Sequence, residues 1–309
     1  MSDNSRTFYI ITGPTSGIGQ SVALELANHA NIILVGRSRQ KLENVKGLIG
    51  QTRGKKAIPV VCDFSEPESV KQAAKEIIDL QNSGEVVIAG LLNNAGTSQA
   101  VPTQNSLGWD LTFATDHMGP FLFTELLIPH LQDGTNVVFV ASGVEDPERK
   151  PAVMAGFRGG RYISVEASAR GEWLSPGGST LPGGDSYATS KQCSLVTALE
   201  FARETPRLHI NAWEPGFIPN TGLIREASGA VRFVAHYILP LLAPYLKYWS
   251  TKKRAGKVAT QILIDKSAKR GLYFDENGVP MNGSKLAHDP KFAKQVVSET
   301  RALLAQVPN

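Results

Sequence analysis

The chain has 309 residues, 42% of them hydrophobic, enough to fill one large core, and 32 basic against 28 acidic residues leave a net charge of only +4. No basic run exceeds the KKR at 252–254, so nucleic-acid binding is not indicated. Cys62 and Cys193 have neither metal-ligand spacing nor a disulfide framework, and the polar start MSDNSRT has no leader pattern; no metal and a reducing, cytoplasmic setting are expected.

Short apolar runs bounded by Gly, Asn or Asp alternate with stretches of helical period. They predict strands at 8–12, 31–35, 58–62, 86–92, 136–140 and 208–213, with a weaker one at 271–275. Between them Leu42, Val45 and Ile49 share one helical face, as do Val70, Ala73, Ala74 and Ile77. That alternation is the signature of stacked strand-helix-strand units around a parallel sheet.

The first predicted strand runs into TGPTSGIG. Gly13, Gly17 and Gly19, with Thr15, Ser16 and Ile18 among them, fall at a strand-to-helix turn, where glycines let the backbone approach a pyrophosphate at a helix start. The second strand ends in GRSRQK. An acidic residue there would hold the ribose hydroxyl of NAD, but Arg37 and Ser38 stand in its place, which favours the 2′-phosphate of NADP(H). The third ends at Asp63 and Phe64, where Asp63 either meets the adenine or simply caps a turn. The fourth ends in NNAG, placing Asn94, Ala95 and Gly96 at the same carboxyl edge.

Two stretches break the rhythm. Residues 143–186 carry nine glycines and four prolines with little periodicity, and a connection of that length is commonly functional or mobile. Its GGSTLPGGDS approach to Tyr187 and its bulky Phe157, Tyr162 and Trp173 suggest a substrate-side lid. The apolar stretch 231–249 has only 14 uncharged residues in a row, from Phe233 to Leu246, too few to cross a bilayer. It reads as pocket lid, interface, membrane-surface contact or plain core. A tyrosine and a lysine four positions apart, suited to an acid with a lowered pKa, occur twice, as YATSK at 187–191 and YWSTK at 248–252. Spacing alone does not choose between them.

In order, TGPTSGIG, NNAG, the serine of VVFVAS, YATSK and PGFIPNTG resemble the short-chain dehydrogenase/reductase family over nearly the whole chain. Within it, GRSRQKLE and FATDHMGPFLFTELLIPHL are similar to the NADP-preferring retinol dehydrogenase branch, and YATSKQCSLVTALEF to protochlorophyllide reductases. The resemblance implies a single Rossmann-type α/β domain over 1–309. It would have a doubly wound parallel sheet of about seven strands, helices on both faces, an insert loop at 143–186 and a substrate-side lid region at 222–257.

It also selects YATSK. Ser142 is then expected to hydrogen-bond the substrate oxygen, Tyr187 to exchange its proton, and Lys191 to hold the nicotinamide ribose and lower the tyrosine pKa. Pro215, Gly216 and Thr221 match the family's cofactor-contacting turn. At Asp116 the family usually carries an asparagine, whose main-chain carbonyl holds a relay water; here the carbonyl is kept and the side chain is charged. The implied activity is NADPH-dependent hydride transfer to or from a carbonyl, secondary alcohol or enone of a bulky apolar small molecule. The alternative is a catalytically silent NADP-binding sensor. Relatives often form homodimers or homotetramers through the helices that hold Asp116 and Tyr187, faces that the insert and the C-terminal region could equally cover.

Overall fold

In the computed structural model the described residues are 4–53, 55–218 and 248–307. One sheet of eight strands organises them, in the order β3-β2-β1-β4-β5-β6-β7-β8. The strands are β1 (Thr7–Thr12), β2 (Asn31–Gly36), β3 (Ala57–Val61), β4 (Val87–Asn93), β5 (Asn136–Val140), β6 (His209–Trp213), β7 (Tyr273–Phe274) and β8 (Pro280–Met281). Every neighbouring pair runs parallel except β7 and β8. The first six match the predicted runs to within about a residue, the scatter usual at element ends. An eighth strand was not expected: a two-residue strand beginning in proline has no period to read. It is placed by a turn in which Asp275 accepts from the amides of Asn277 and Val279, at 2.8 and 2.9 Å.

Strand residues of alternating parity feed two cores, because successive side chains leave a strand on opposite faces. Ile10, Ile33 and Val35 join the core beneath α3 (Pro67–Asn82), α4 (Leu111–Phe113), α5 (Gly119–Leu127) and α8 (Gly184–Glu204). Ile11, Ile32 and Leu34 join the core beneath α1 (Gly17–Leu26), α2 (Arg39–Arg53) and α9 (Lys252–Ile264). Burial on both faces is why these strands are nearly all apolar.

The 143–186 segment is more structured than its composition suggests. It holds α6 (Lys150–Met154) and α7 (Val165–Ala169), the latter capped by Ser164 Oγ, which accepts from Ala167 N. Two of its three bulky residues face the chain's own core. Tyr162 packs edge-on to Phe292 of the last helix, α10 (Pro290–Leu304), at 5.1 Å, and Trp173 against Phe113 at 6.3 Å. Only Phe157 approaches Tyr187, at 6.3 Å between ring centroids. Thr221 and nearly all of the 231–249 stretch lie outside the described residues, as does most of the expected 222–257 lid region; no helix among the described residues is long and apolar enough to cross a membrane.

Candidate active site

The chain leaves β1 on one side of the sheet's starting point and β4 on the other, so the crevice between their carboxyl ends is the topological switch point. The loops that meet there are the two glycine motifs. Gly13 takes φ +65° and Gly17 φ +58°, the left-handed region that glycine enters without strain. A Cβ at Gly19 would lie 2.2 Å from the Gly13 carbonyl oxygen and 2.5 Å from Asn94 Nδ2, whereas one at Gly17 would meet nothing within 4 Å. Gly19 is therefore required for close packing, and Gly17 borders open space at the start of α1. No acidic side chain occupies the first turn of that ten-residue helix, whose N-cap Ser16 makes no side-chain capping bond, so its positive end is left for an anion.

Thr12, which the sequence reading passed over, ties the two loops together. Its Oγ1 accepts from the amides of Asn94 and Ala95, both at 2.8 Å, and donates to Leu92 O. Asn94 returns the contact through Nδ2 to Thr12 O at 2.9 Å. The motif signal was carried by glycines, and a buried strand-end threonine does not stand out beside them.

At the adenosine end, Arg37 is exposed and makes no ion pair among the described residues, with half-buried Ser38 beside it. Its neighbour Arg39 is instead committed to the Pro59 carbonyl at 2.8 Å. Asp63 Oδ1 accepts from the amide and hydroxyl of Ser65, the turn-capping use of an aspartate, and its other oxygen has no partner among the described residues. The Phe64 ring is buried edge-on to Phe123, and its carbonyl packs against Gly119.

Tyr187 and Lys191 project from the same face of α8, one turn apart. The Lys191 ammonium donates to Val140 O at 3.4 Å and lies 5.4 Å from the centre of the Tyr187 ring. Ser142 follows the end of β5 in an extended conformation, near enough to the Tyr187 phenol to favour its ionised form. The three sequence-predicted groups thus converge.

Asp116 joins them in a way the sequence reading did not foresee. It sits in a π-helical turn, Ala114–Met118, between α4 and α5, a distortion common at functional sites. Its carboxylate Oδ2 lies 2.9 Å from Lys191 Nζ, and Oδ1 accepts from Thr97 N at 2.6 Å. Gly96 makes room, since a Cβ there would stand 3.0 Å from Oδ2. The main-chain carbonyl, expected to hold a relay water, accepts from Ser194 Oγ at 2.8 Å. Besides its main-chain carbonyl, then, the Asp116 side chain is itself a partner of Lys191.

These groups move one another's protons. Burial pushes the Tyr187 phenol up; Lys191 opposes this, Asp116 adds to it, and nearby Ser142 works with the lysine. Burial pulls the Lys191 ammonium down, but Asp116 and Tyr187 outweigh it and hold the ammonium above its ordinary value. Burial raises the Asp116 carboxyl, and Lys191 opposes it. Beyond β6, Pro215 is buried and Gly216 turns at φ +74°.

The short chain dehydrogenase family model matches residues 7–153. A short-chain dehydrogenase/reductase of Armillaria gallica is 29% identical over 90% of this chain and 86% of its own, and the chloroplastic protochlorophyllide reductase A of Arabidopsis thaliana is 26% identical over 87% of this chain and 68% of its own. Among solved structures, an uncharacterized protein from Mycobacterium Paratuberculosis superposes with a TM-score of 0.68 at 22% identity, covering 97% of this chain and 93% of that one. L-sorbose reductase from Gluconobacter frateurii, complexed with NADPH and L-sorbose, superposes at 0.61 and 17% identity over 89% of this chain and 96% of its own. Together with motif order, sheet topology and converging side chains, these likenesses show a chain that resembles the short-chain dehydrogenase/reductase family and, within it, the protochlorophyllide reductases.

Proposed function

We propose that the protein is an NADPH-dependent reductase, or the reverse dehydrogenase, of a carbonyl, secondary alcohol or enone on a bulky apolar small molecule. The observation that carries this reading is the convergence of Ser142, Tyr187, Lys191 and Asp116 at the same sheet edge as the Gly13–Gly19 cradle. A silent sensor would have no need of a buried lysine-carboxylate pair beside a tyrosine.

The cradle suits a dinucleotide: the open space at Gly17, the uncapped start of α1 and the exposed Arg37 follow the course of a pyrophosphate and a 2′-phosphate. NADPH supplies a hydride from its nicotinamide ring. Gly13, Gly17 and Gly19 would hold the phosphates, Asn94, Ala95 and Gly96 would face them from the other loop, and Pro215 and Gly216 would meet the nicotinamide end. Ser142 holds the substrate oxygen by a hydrogen bond. Tyr187 delivers a proton to that oxygen in reduction and takes it back in oxidation. Lys191 stabilises the phenolate that delivery leaves behind, and Asp116 favours the charged form of Lys191 against the pull of burial.

Relatives named as reductases of protochlorophyllide and daunorubicin, and the apolar Phe157 beside Tyr187, support a bulky apolar substrate. The test is cofactor preference with a panel of ketones, aldehydes and enones. NADPH should bind more tightly than NADH, and Arg37→Asp should remove a charged contact of about 1.5 to 3 kcal/mol and so shrink or reverse the preference. Equal affinity of the unaltered protein for both cofactors would refute the assignment.

A further inference from the structure

A second charged group is built against the turn that follows Ser142. Glu214 follows β6, where its amide donates to Phe274 O at 2.8 Å, so its main chain is fixed by β7. Its carboxylate reaches back to the turn after β5 and stands against Gly143, the residue next to Ser142. The fit is close: a Cβ at Gly143 would lie 2.7 Å from Glu214 Oε1. The other oxygen, Oε2, pairs with Arg149 Nη2 at 2.6 Å, with side chains only 7% and 13% exposed. Arg149 in turn lies 3.8 Å over the Tyr248 ring.

Such a pair is costly to bury, and apolar side chains of similar size would generally fill the space as well or better. What they would not supply is an acceptor for the Gly143 amide. On the other side of the serine, Ala141 N donates to Trp213 O at 2.9 Å. Ser142 is thus flanked by the Ala141 tie on one side and the Glu214 carboxylate against Gly143 on the other, both from the end of β6.

We propose that Glu214 is a positioning residue for Ser142: by accepting the Gly143 amide it fixes the backbone of the serine, and Arg149 holds the carboxylate in place. This rests on the reading of Ser142 as the hydroxyl that holds substrate. It predicts that reach matters more than charge. Glu214→Asp keeps the charge but draws it back by one methylene, and should lose kcat by about a hundredfold, the scale expected when a reacting group is misplaced by about an ångström. Glu214→Gln keeps a carbonyl oxygen at the same distance and should stay within about tenfold of the unaltered protein. Both should leave the KM for NADPH within about twofold, because no part of the cradle is touched.

Kinetics with NADPH and phenanthrenequinone as a general carbonyl probe supply the first arm. The second needs neither cofactor nor substrate: hydrogen exchange at the Gly143 amide should speed up in Glu214→Asp and stay slow in Glu214→Gln. Should the aspartate variant not fold, Gly143→Ala tests the same link from the other side and should lose kcat with the cofactor KM unchanged. An active aspartate variant beside an inactive glutamine one, or exchange at Gly143 that ignores both substitutions, overturns the proposal. A protein that binds no NADPH and reduces no carbonyl would instead refute the functional reading, and the exchange arm would still decide the Glu214 link.

Discussion

The Asp116 carboxylate stands 2.9 Å from the Lys191 ammonium, a buried pair joining the π-helical turn to the helix that carries Tyr187. Its negative charge works against the tyrosinate while sustaining the lysine that favours it. Asp116→Asn keeps the side-chain size and an oxygen for the Thr97 amide, so activity at neutral pH should remain within about tenfold. Removing the charge lowers the pKa of Tyr187, and it lowers that of Lys191, whose ammonium loses its counter-charge. In reduction both must be protonated, so both effects move the basic limb of kcat/KM toward lower pH, by about one unit. Superimposable profiles would show that the carboxylate charge does not reach the reaction. A folded, cofactor-binding but inactive asparagine variant would make the carboxylate a participant in its own right.

The two tyrosine-lysine pairs should separate cleanly. The Tyr187 ring centre lies 5.4 Å from the Lys191 ammonium, while Tyr248 stacks beneath Arg149 with φ 71°. Tyr187→Phe keeps the ring and removes the proton donor, so turnover should fall by at least about a hundredfold with NADPH affinity nearly unchanged. Tyr248→Phe preserves the stack under Arg149 and should hold kcat within a few-fold. The reverse result, read from steady-state rates and NADPH fluorescence titration, would reassign the acid.

Local signals carried most of the sheet and most of the site. Six strands were legible because burial on both faces writes continuous apolar runs, and the glycine loop because close approach excludes every other residue. What stayed hidden is long-range. Nothing near Asp116 in sequence says that a lysine 75 positions later will stand against its carboxylate, and nothing around Glu214 announces that it will stand against a glycine 71 positions earlier. The 143–186 segment read as a loop because its helices are only five residues each and its anchors, Tyr162 and Trp173, are paired with partners from elsewhere in the chain.

One of those distant partners bears on assembly. Helix α10 lies on α8, burying Phe292, Ala293, Val296 and Val297. Arg301 clasps Glu125 of α5 and Glu204 of α8, at 2.5 and 2.6 Å, and His117 meets Thr300 at 2.9 Å. The chain thereby covers with its own helix a face through which pairing was expected. Sedimentation velocity at micromolar concentration should show a 33.3 kDa monomer, and a chain cut before Pro290 should self-associate through the exposed apolar strip. A stable dimer of the uncut chain that survives Arg301→Ala would place pairing on another face.

The last prediction concerns stability and Glu145, a fully buried carboxyl in the turn after Ser142. Its two oxygens accept from Ser284 N at 2.8 Å and Ser284 Oγ at 2.6 Å. Burial, with smaller pushes from Asp146 and Glu214 and against the two serine bonds, raises it from the ordinary 4.5 to about 7. A carboxyl whose pKa is higher folded than unfolded binds more protons in the native state across that window. Its stabilising contribution is complete below pH 4.5 and is lost as pH rises through 7, a change of about 3 kcal/mol by the linkage relation. Glu145→Gln cannot titrate and keeps a carbonyl for the Ser284 amide. Its Tm should therefore match the unaltered protein near pH 5 and exceed it by several degrees at pH 8, as followed by circular dichroism melts at both values. Equal destabilisation at the two pH values would mean that Glu145 is ionised throughout and that its bonds to Ser284, rather than its proton, hold the turn.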